Sequence, residues 1–306
     1  MVSLVIAFMV SLCVSGVIIR LSRSRALAWD DHDLQGVQKF HARAVPRVGG
    51  LAIALGLASL LAWVAFTQPA QSGEMAVLLA CGLPPLLAGL AEDLTKRVGI
   101  RTRLLATATG GALAFFLLGA QLSSVNLPGL DWLMGFTGFS LLFTMVAVAG
   151  VANAVNIIDG FNGLAAAVVA ISLLSLAYVG WQVGDSLIVS VALGGVGALL
   201  GFLLWNWPRG LIFLGDGGAY FIGYLVAVLS FLLVARHRGV VTPWYPFLLF
   251  IYPVFETLFS IWRRKVVRGA SPGLPDVCIF ISWCSGASFA GPWAGAMPPA
   301  SPCATA

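Results

Sequence analysis

Three short polar segments interrupt a chain that is otherwise almost entirely apolar. They are Glu92-Asp93-Leu-Thr-Lys96, Asn153-Ala-Val-Asn156-Ile-Ile-Asp159-Gly-Phe-Asn162-Gly163 and Leu214-Gly215-Asp216-Gly217-Gly218. Each one lies at the end of a hydrophobic stretch long enough to cross a bilayer. Carboxylate and amide oxygens suit a hard divalent cation, which in turn neutralises an anion. If the three segments face the same side, they predict a site for a divalent cation and a phosphate-bearing ligand.

The composition places this chemistry in a membrane. Hydrophobic residues make up 59% of the chain and charged residues only 9%, against about 25% charged residues in an ordinary soluble domain. The apolar stretches recur along almost the whole length, which leaves no room for a large soluble domain. The five cysteines show neither a disulfide framework nor a metal-ligand spacing. The first apolar run lacks a small-residue cleavage site and is predicted to be a retained helix.

The elements that must position the polar segments are predicted to be transmembrane helices. A span needs about 20 mostly apolar residues. Nine stretches of the chain qualify, which predicts an all-α, polytopic membrane protein. They are residues 2–21, 48–67, 75–92, 103–120, 134–152, 163–181, 186–206, 217–235 and 243–262.

The basic residues predict how these helices are oriented. All 17 lysines and arginines except Arg236 and Arg238 fall at the ends or in the loops on one side. The positive-inside rule makes that side the cytoplasm and puts the N-terminus outside. All three polar segments are then cytoplasmic, within reach of a soluble nucleotide and a lipid head group. The loops on the other side that contain no basic residue are 68–74, 121–133 and 182–185.

Each segment also has an interpretation without function. A Glu-Asp pair is often a solvated helix terminus, and Lys96 three residues after Asp93 suits an intrahelical ion pair. The Leu-Gly-Asp-Gly-Gly segment suits a turn, although its glycines also allow close approach to a phosphate. The middle segment is harder to explain structurally. A spacing of three places its polar side chains, from Asn153 to Asn162, on one stripe of a helix, where burial without partners is costly in lipid.

The motifs resemble those of the polyprenyl-phosphate N-acetylhexosamine-1-phosphate transferases, in order, over residues 1–276. His41 followed by Pro46-Arg47-Val-Gly49-Gly50 is similar to the first cytoplasmic motif of that family. Glu92-Asp93 resembles its Asp-Asp motif, and the following Arg101-x-Arg103 resembles its basic stretch. The segment from Asn153 to Gly163 resembles its signature loop, and the Leu-Gly-Asp-Gly-Gly segment resembles its metal-binding Gly-Asp-x-Gly. Two departures are Glu92 and Asn162, where the family usually has Asp.

The resemblance implies transfer of a sugar 1-phosphate from a UDP-sugar to undecaprenyl phosphate, with release of UMP and with Mg²⁺, or alternatively Mn²⁺, as cofactor. It favours UDP-GlcNAc or a related UDP-N-acetylhexosamine over the muramoyl-pentapeptide donor. The implied metal ligands are Asn156 and Asp216. The implied catalytic residues are Asp93, Asp159 and Glu92, of which Asp93 and Asp159 would position or deprotonate the lipid phosphate. The implied substrate-binding residues are Lys96, His41, Arg47, Asn153 and Asn162.

The resemblance implies a protein of the bacterial inner membrane that interacts with the bilayer and binds no nucleic acid. Whether it forms a homodimer is left open. The reaction would start lipid-linked cell-surface polysaccharide synthesis, as in O-antigen or cell-wall biogenesis. Two alternatives remain at this point. The polar residues also suit the pathway of a transporter, although no internal repeat is visible. The chain also suits a truncated, inactive member of the family.

The C-terminal tail is the largest departure from the family pattern. The family continues Pro-Asp with Arg-x-His-x-His and further helices, whereas here the pattern stops after Pro275-Asp276. If the codons from Asp276 onward are read shifted by one base, one permitted translation is Asp-Arg-Val-His-Phe-His, the family pattern. This predicts that one base has been lost near codon 276. The alternative is a naturally diverged tail. Residues 1–276 are therefore predicted to be the transferase domain, and residues 277–306 an aberrant tail that leaves this chain weakly active or inactive.

Overall fold

The structure is a computed structural model that describes residues 1–24 and 45–267. Its described part is built of helices, with a single isolated β-bridge residue at Pro46, and ends in a π-helical turn, Arg263–Val267. His41 and the predicted aberrant tail, 277–306, lie outside the described residues. The helices are α1 Val2–Ser24, α2 Gly49–Thr67, α3 Pro69–Cys81, α4 Leu83–Thr95, α5 Ile100–Leu118, α6 Pro128–Met134, α7 Thr137–Ile158, α8 Leu164–Gln182, α9 Ser186–Asn206, α10 Gly215–Arg236, α11 Trp244–Leu249 and α12 Ile251–Trp262.

Seven helices of the described chain are long and apolar enough to cross a membrane. They correspond to seven of the nine predicted spans, with α3 and α4 together forming one of them. The predicted span 103–120 is one continuous helix, α5, but it is not among the seven. The helical, multi-span architecture is therefore confirmed, whereas the count of nine remains a prediction.

Proline explains why two of the predicted spans are broken. The prediction of one helix over 243–262 is wrong, because Phe250 separates α11 from α12. Pro253 lacks the N–H that would bond the carbonyl of Leu249 and continue the helix. The same reason applies between α3 and α4, where Pro84 and Pro85 follow Gly82.

Helix α10 forms the centre of the molecule. It packs against α2, α4, α5, α7, α8 and α9, and 94% of its most apolar stretch is buried inside the protein. The first turn of α10 approaches its neighbours through glycines. A Cβ on Gly89 of α4 would lie 2.5 Å from Cα of Gly217, and a Cβ on Gly50 of α2 would overlap the backbone of Gly218. These positions therefore hold the N-terminus of α10 against α2 and α4.

The C-terminal end of α10 belongs to a separate cluster of polar side chains. Arg236 pairs with Glu74 at 3.2 Å and with Asp185 at 3.5 Å, and His237 Nε2 lies 3.2 Å from the same carboxylate. Asp185 also accepts a hydrogen bond from the backbone N–H of Ile188 and so caps α9. The loops that the basic residues predict to lie outside thus meet at one end of the helices, and the polar motifs lie at the other.

Candidate functional site

Backbone hydrogen bonds bring the segment before α2 against the segment before α10. The N–H of Phe213 donates to the carbonyl of Pro46 at 2.9 Å. In return, Gly49 donates to Phe213 at 2.9 Å and Gly50 donates to Leu214 at 3.0 Å. The Pro46-to-Gly50 motif and the Leu-Gly-Asp-Gly-Gly motif, far apart in sequence, are therefore joined through their main chains.

Asp93 binds the N-terminus of α10. Its Oδ1 accepts a hydrogen bond from the backbone N–H of Asp216, and its Oδ2 accepts one from that of Gly217, both at 2.9 Å. The first N–H groups of a helix have no partner within the helix and carry partial positive charge, so a carboxylate satisfies them well. The expected proximity of Asp93 and Asp216 is confirmed. Asp93 is 3% exposed, so its oxygens face α10.

Asp216 lies between a cation and an amide. One oxygen forms an ion pair with the guanidinium of Arg103, and the other accepts a hydrogen bond from Nδ2 of Asn156 at 3.0 Å. The predicted pair of Asn156 and Asp216 is thus in contact. Arg103 lies over the ring of Tyr220, 5.6 Å from its centroid. The carboxylate is therefore held by neighbours from α5 and α7, and Tyr220 of its own helix contacts Arg103.

The signature segment does not remain helical along its length. Helix α7 ends at Ile158, Asp159 is its C-cap, and Gly163 has a positive φ of 81°. The prediction of one helical stripe is therefore correct only for Asn153 and Asn156, because Gly160 and Gly163 favour a turn after the helix. The side-chain oxygen of Asn153 accepts a hydrogen bond from the Tyr220 hydroxyl at 3.2 Å.

The turn after α7 carries the other two polar residues of the segment. Nδ2 of Asn162 makes a long contact of 3.4 Å with the carbonyl of Pro208, between α9 and α10. Asp159 is half-buried, and burial raises the pKa of this carboxyl to about 8. The positive charge of Arg47 opposes that shift in the pKa, and the negative charge of Asp93 adds to it. Asp159 therefore belongs to the same electrostatic environment as the other motifs.

Glu92 and Lys96 are at the edge of the site. The Glu92 carboxylate accepts a hydrogen bond from the backbone N–H of Val98 at 2.7 Å and so closes the loop after α4. Lys96 caps α4 in a left-handed conformation, with φ of 55°, and its side chain is exposed. Glu92 is thus engaged in local structure, and its proposed catalytic role remains a prediction.

The arrangement suits a divalent cation only in part. Among residues 1–24 and 45–267, no group of three or more His, Cys, Asp or Glu side chains is placed to hold a metal ion. The candidate ligand oxygens are the Asp216 carboxylate, whose Oδ1 accepts a hydrogen bond from Nδ2 of Asn156, and the carbonyl oxygen of that same amide. Asp159 is a further carboxylate in the vicinity. Oxygen ligands of this kind suit Mg²⁺, which keeps several waters and uses few protein ligands.

Comparison with known proteins bears on what this arrangement does. A profile of glycosyl transferase family 4 matches residues 75–234, which is more than half of the chain. A probable undecaprenyl-phosphate N-acetylglucosaminyl 1-phosphate transferase of Bacillus subtilis is 30% identical over 270 residues, covering 86% of this chain and 72% of the relative. The chain belongs to glycosyl transferase family 4.

Further relatives support that membership in glycosyl transferase family 4. A decaprenyl-phosphate N-acetylglucosaminephosphotransferase of Mycolicibacterium smegmatis is 31% identical over 265 residues, covering 77% of this chain and 64% of the relative. A phospho-N-acetylmuramoyl-pentapeptide-transferase of Streptococcus pyogenes is 28% identical over 246 residues, covering 76% of this chain and 72% of the relative. The family resemblance seen in the motifs is thus confirmed.

Two residues of the site were given no role from the sequence, although Arg103 belongs to the Arg101-x-Arg103 stretch. Arg103 contacts Asp216 directly, and Tyr220 contacts both Arg103 and Asn153. A signal for each is present in the sequence. Arg103 is a charge at the start of an apolar run, which favours a functional role. Tyr220 follows Asp216 by four residues and therefore shares its face of α10.

Proposed function

We propose that this protein transfers an N-acetylhexosamine 1-phosphate from a UDP-sugar to a polyprenyl phosphate such as undecaprenyl phosphate, with release of UMP. The observation that carries the proposal is the convergence of Asp93, Asn156 and Asp216 at one end of a membrane-spanning bundle. That convergence is found in a chain whose relatives bear names of this activity.

Asp93 has a structural role in this proposal, and the other polar residues of the site bind the metal ion and the phosphates. Asp93 fixes the first turn of α10 and so orients the Asp216 carboxylate. Asp216 and Asn156 would hold Mg²⁺, which supplies charge neutralisation for two approaching phosphates. Asp159, with its raised pKa, is suited to exchange a proton with the lipid phosphate near neutral pH. Arg47, on the segment next to it, would attract that phosphate.

The finer points of topology are part of the same proposal. The site is placed at the cytoplasmic side of a bacterial inner membrane, because the basic residues gather at that end. The two remaining predicted spans, α5 and the pair α11–α12, would also lie in the bilayer and bring the number of spans to nine.

The test is release of UMP from UDP-GlcNAc by the purified protein in detergent, with and without undecaprenyl phosphate and Mg²⁺. In a chain whose reading frame is restored at Asp276, Asp216→Asn should lower the rate at least a hundredfold, because transition-state charge stabilisation is typically worth that much. Asp131→Asn is the matched control. Asp131 binds the backbone of Val125 in the loop before α6, so its variant should keep the wild-type rate.

Because residues 277–306 are predicted to be out of frame, a frame-restored chain is the second protein in this test. The restored chain should turn over faster than the 306-residue chain. UMP release that is independent of the lipid acceptor, or an Asp216→Asn variant with the wild-type rate, would contradict the proposal. Transport of a solute without UMP release would favour the transporter instead.

A further inference from the structure

Arg103 occupies the side of Asp216 that a metal ion would need. Its Nη1 forms the ion pair with Oδ2 of Asp216, and both side chains are largely buried, at 11% and 15% exposure. The other carboxylate oxygen is taken by Asn156. A monovalent guanidinium and a divalent cation repel each other, so both do not bind the same carboxylate oxygen at close range.

The guanidinium makes a second contact in the same position. It lies over the Tyr220 ring, which supports a cation through its π face. Its Nε is buried and has no hydrogen-bond partner. A buried donor in that state is costly, and an anionic oxygen would relieve the cost. Arginine presents paired donors in a planar fork that matches phosphate.

We propose that Arg103 is a displaceable occupant of the cation site. It neutralises Asp216 while no divalent cation is bound, and it is released when one binds. The released guanidinium, guided by Tyr220, then binds a phosphate of the nucleotide donor. Cation binding would thereby prepare the donor site, which couples the two binding events in a fixed order. The inference rests on the proposed function, since it assumes that Asp216 binds the cation.

The first experiment measures Mn²⁺ binding to the purified 306-residue chain by electron paramagnetic resonance, without any donor or lipid. Arg103→Gln should lower the Kd for Mn²⁺ at least about tenfold, because the cation no longer has to displace a partly buried charge. Arg101→Gln is the matched control. It removes the same charge two residues away on α5, from an exposed side chain, and should change the Kd less than about twofold.

The second experiment needs no variant and so does not depend on how a substitution affects folding. Phenylglyoxal modification of Arg103 in the wild-type protein is mapped by mass spectrometry. Mg²⁺ should increase the modification by releasing the guanidinium from Asp216. Adding UDP together with Mg²⁺ should suppress it again. Modification that is unchanged by Mg²⁺ would overturn the proposal.

The results separate this inference from the proposed function. If the wild type binds Mn²⁺ and Arg103→Gln binds it no more tightly than Arg101→Gln does, the role of Arg103 is overturned and the cation site stands. If neither the wild type nor any variant binds Mn²⁺, the cation site itself is wrong, and the inference falls with it. A tighter Kd only in Arg103→Gln supports both.

Discussion

Replacing Asp93 by asparagine should destabilise the protein, because Asp93 holds the N-terminus of α10 with both carboxylate oxygens. Asparagine keeps one acceptor oxygen but points its NH₂ group at the other backbone N–H. The contacts affected are the two hydrogen bonds of 2.9 Å to Asp216 and Gly217. Hydrogen bonds to a charged group are worth about 1.5–3 kcal/mol each, and neutral ones about half as much.

The net cost follows from these two bonds and one opposing effect. One bond is lost and the other is weakened, which together costs about 2–4 kcal/mol. Removing a buried charge recovers part of that, since burial of a carboxylate is itself unfavourable. The expected loss of stability is then about 1–3 kcal/mol, or about 2–12 °C in Tm on the scale of soluble proteins of 150–250 residues.

The assay is thermal unfolding of the detergent-purified protein, followed by circular dichroism. Glu92→Gln is the matched control, because the adjacent Glu92 makes a single hydrogen bond to Val98 and glutamine preserves the acceptor. Its Tm should change by less than about 2 °C, within the range of a surface substitution. A wild-type Tm for Asp93→Asn would refute the anchoring role and leave Asp93 with a role in chemistry alone.

Two further predictions concern packing and protonation. Gly89→Ala should destabilise the protein by about 1–3 kcal/mol, because the added Cβ lies 2.5 Å from Gly217; Gly73→Ala, where nothing lies within 4 Å, should be neutral or slightly stabilising in a thermal scan. Asp159 has a pKa raised to about 8 by burial, so the folded state binds a proton that the unfolded state has released above about pH 4. Stability in EDTA should therefore fall as the pH rises from about 4 to about 8. The fall should be shallower in Asp159→Asn, and an equal slope in both proteins would contradict the raised pKa.

The helices and the convergence of motifs were predictable from the sequence. Apolar length identified the long helices, and the alternation of basic loops placed Asp93 and Asp216 at the same end. The contact between Asn156 and Asp216 follows from that placement, because Asn156 lies near the end of α7, Asp216 lies at the start of α10, and the two helices pack together. Hydrophobicity and charge act over the whole bilayer thickness, so a pattern of residue types is sufficient to reveal them.

The partner of each polar group was not predictable in the same way. Glu92 and Asp93 are neighbours of the same charge, yet one closes a local loop and the other binds α10. Successive residues of α4 are rotated by about 100° around the helix axis. This rotation and the position at which α10 begins decide which of the two carboxylates reaches α10. The ion pair between Arg103 and Asp216 depends on the approach of α5 to α10, which no local pattern specifies.

The central position of α10 also determines when the site can form during synthesis. The chain leaves the ribosome from its N-terminus, so Pro46 and Asp93 are made well before Phe213 and the first turn of α10. The earlier helices must leave an opening that α10 later fills, since α10 contacts α2, α4, α5, α7, α8 and α9. A nascent chain that stops short of α10 therefore carries most of the motif residues but no assembled pocket. The pocket is therefore assembled only after the first turn of α10, which carries Asp216, has been made.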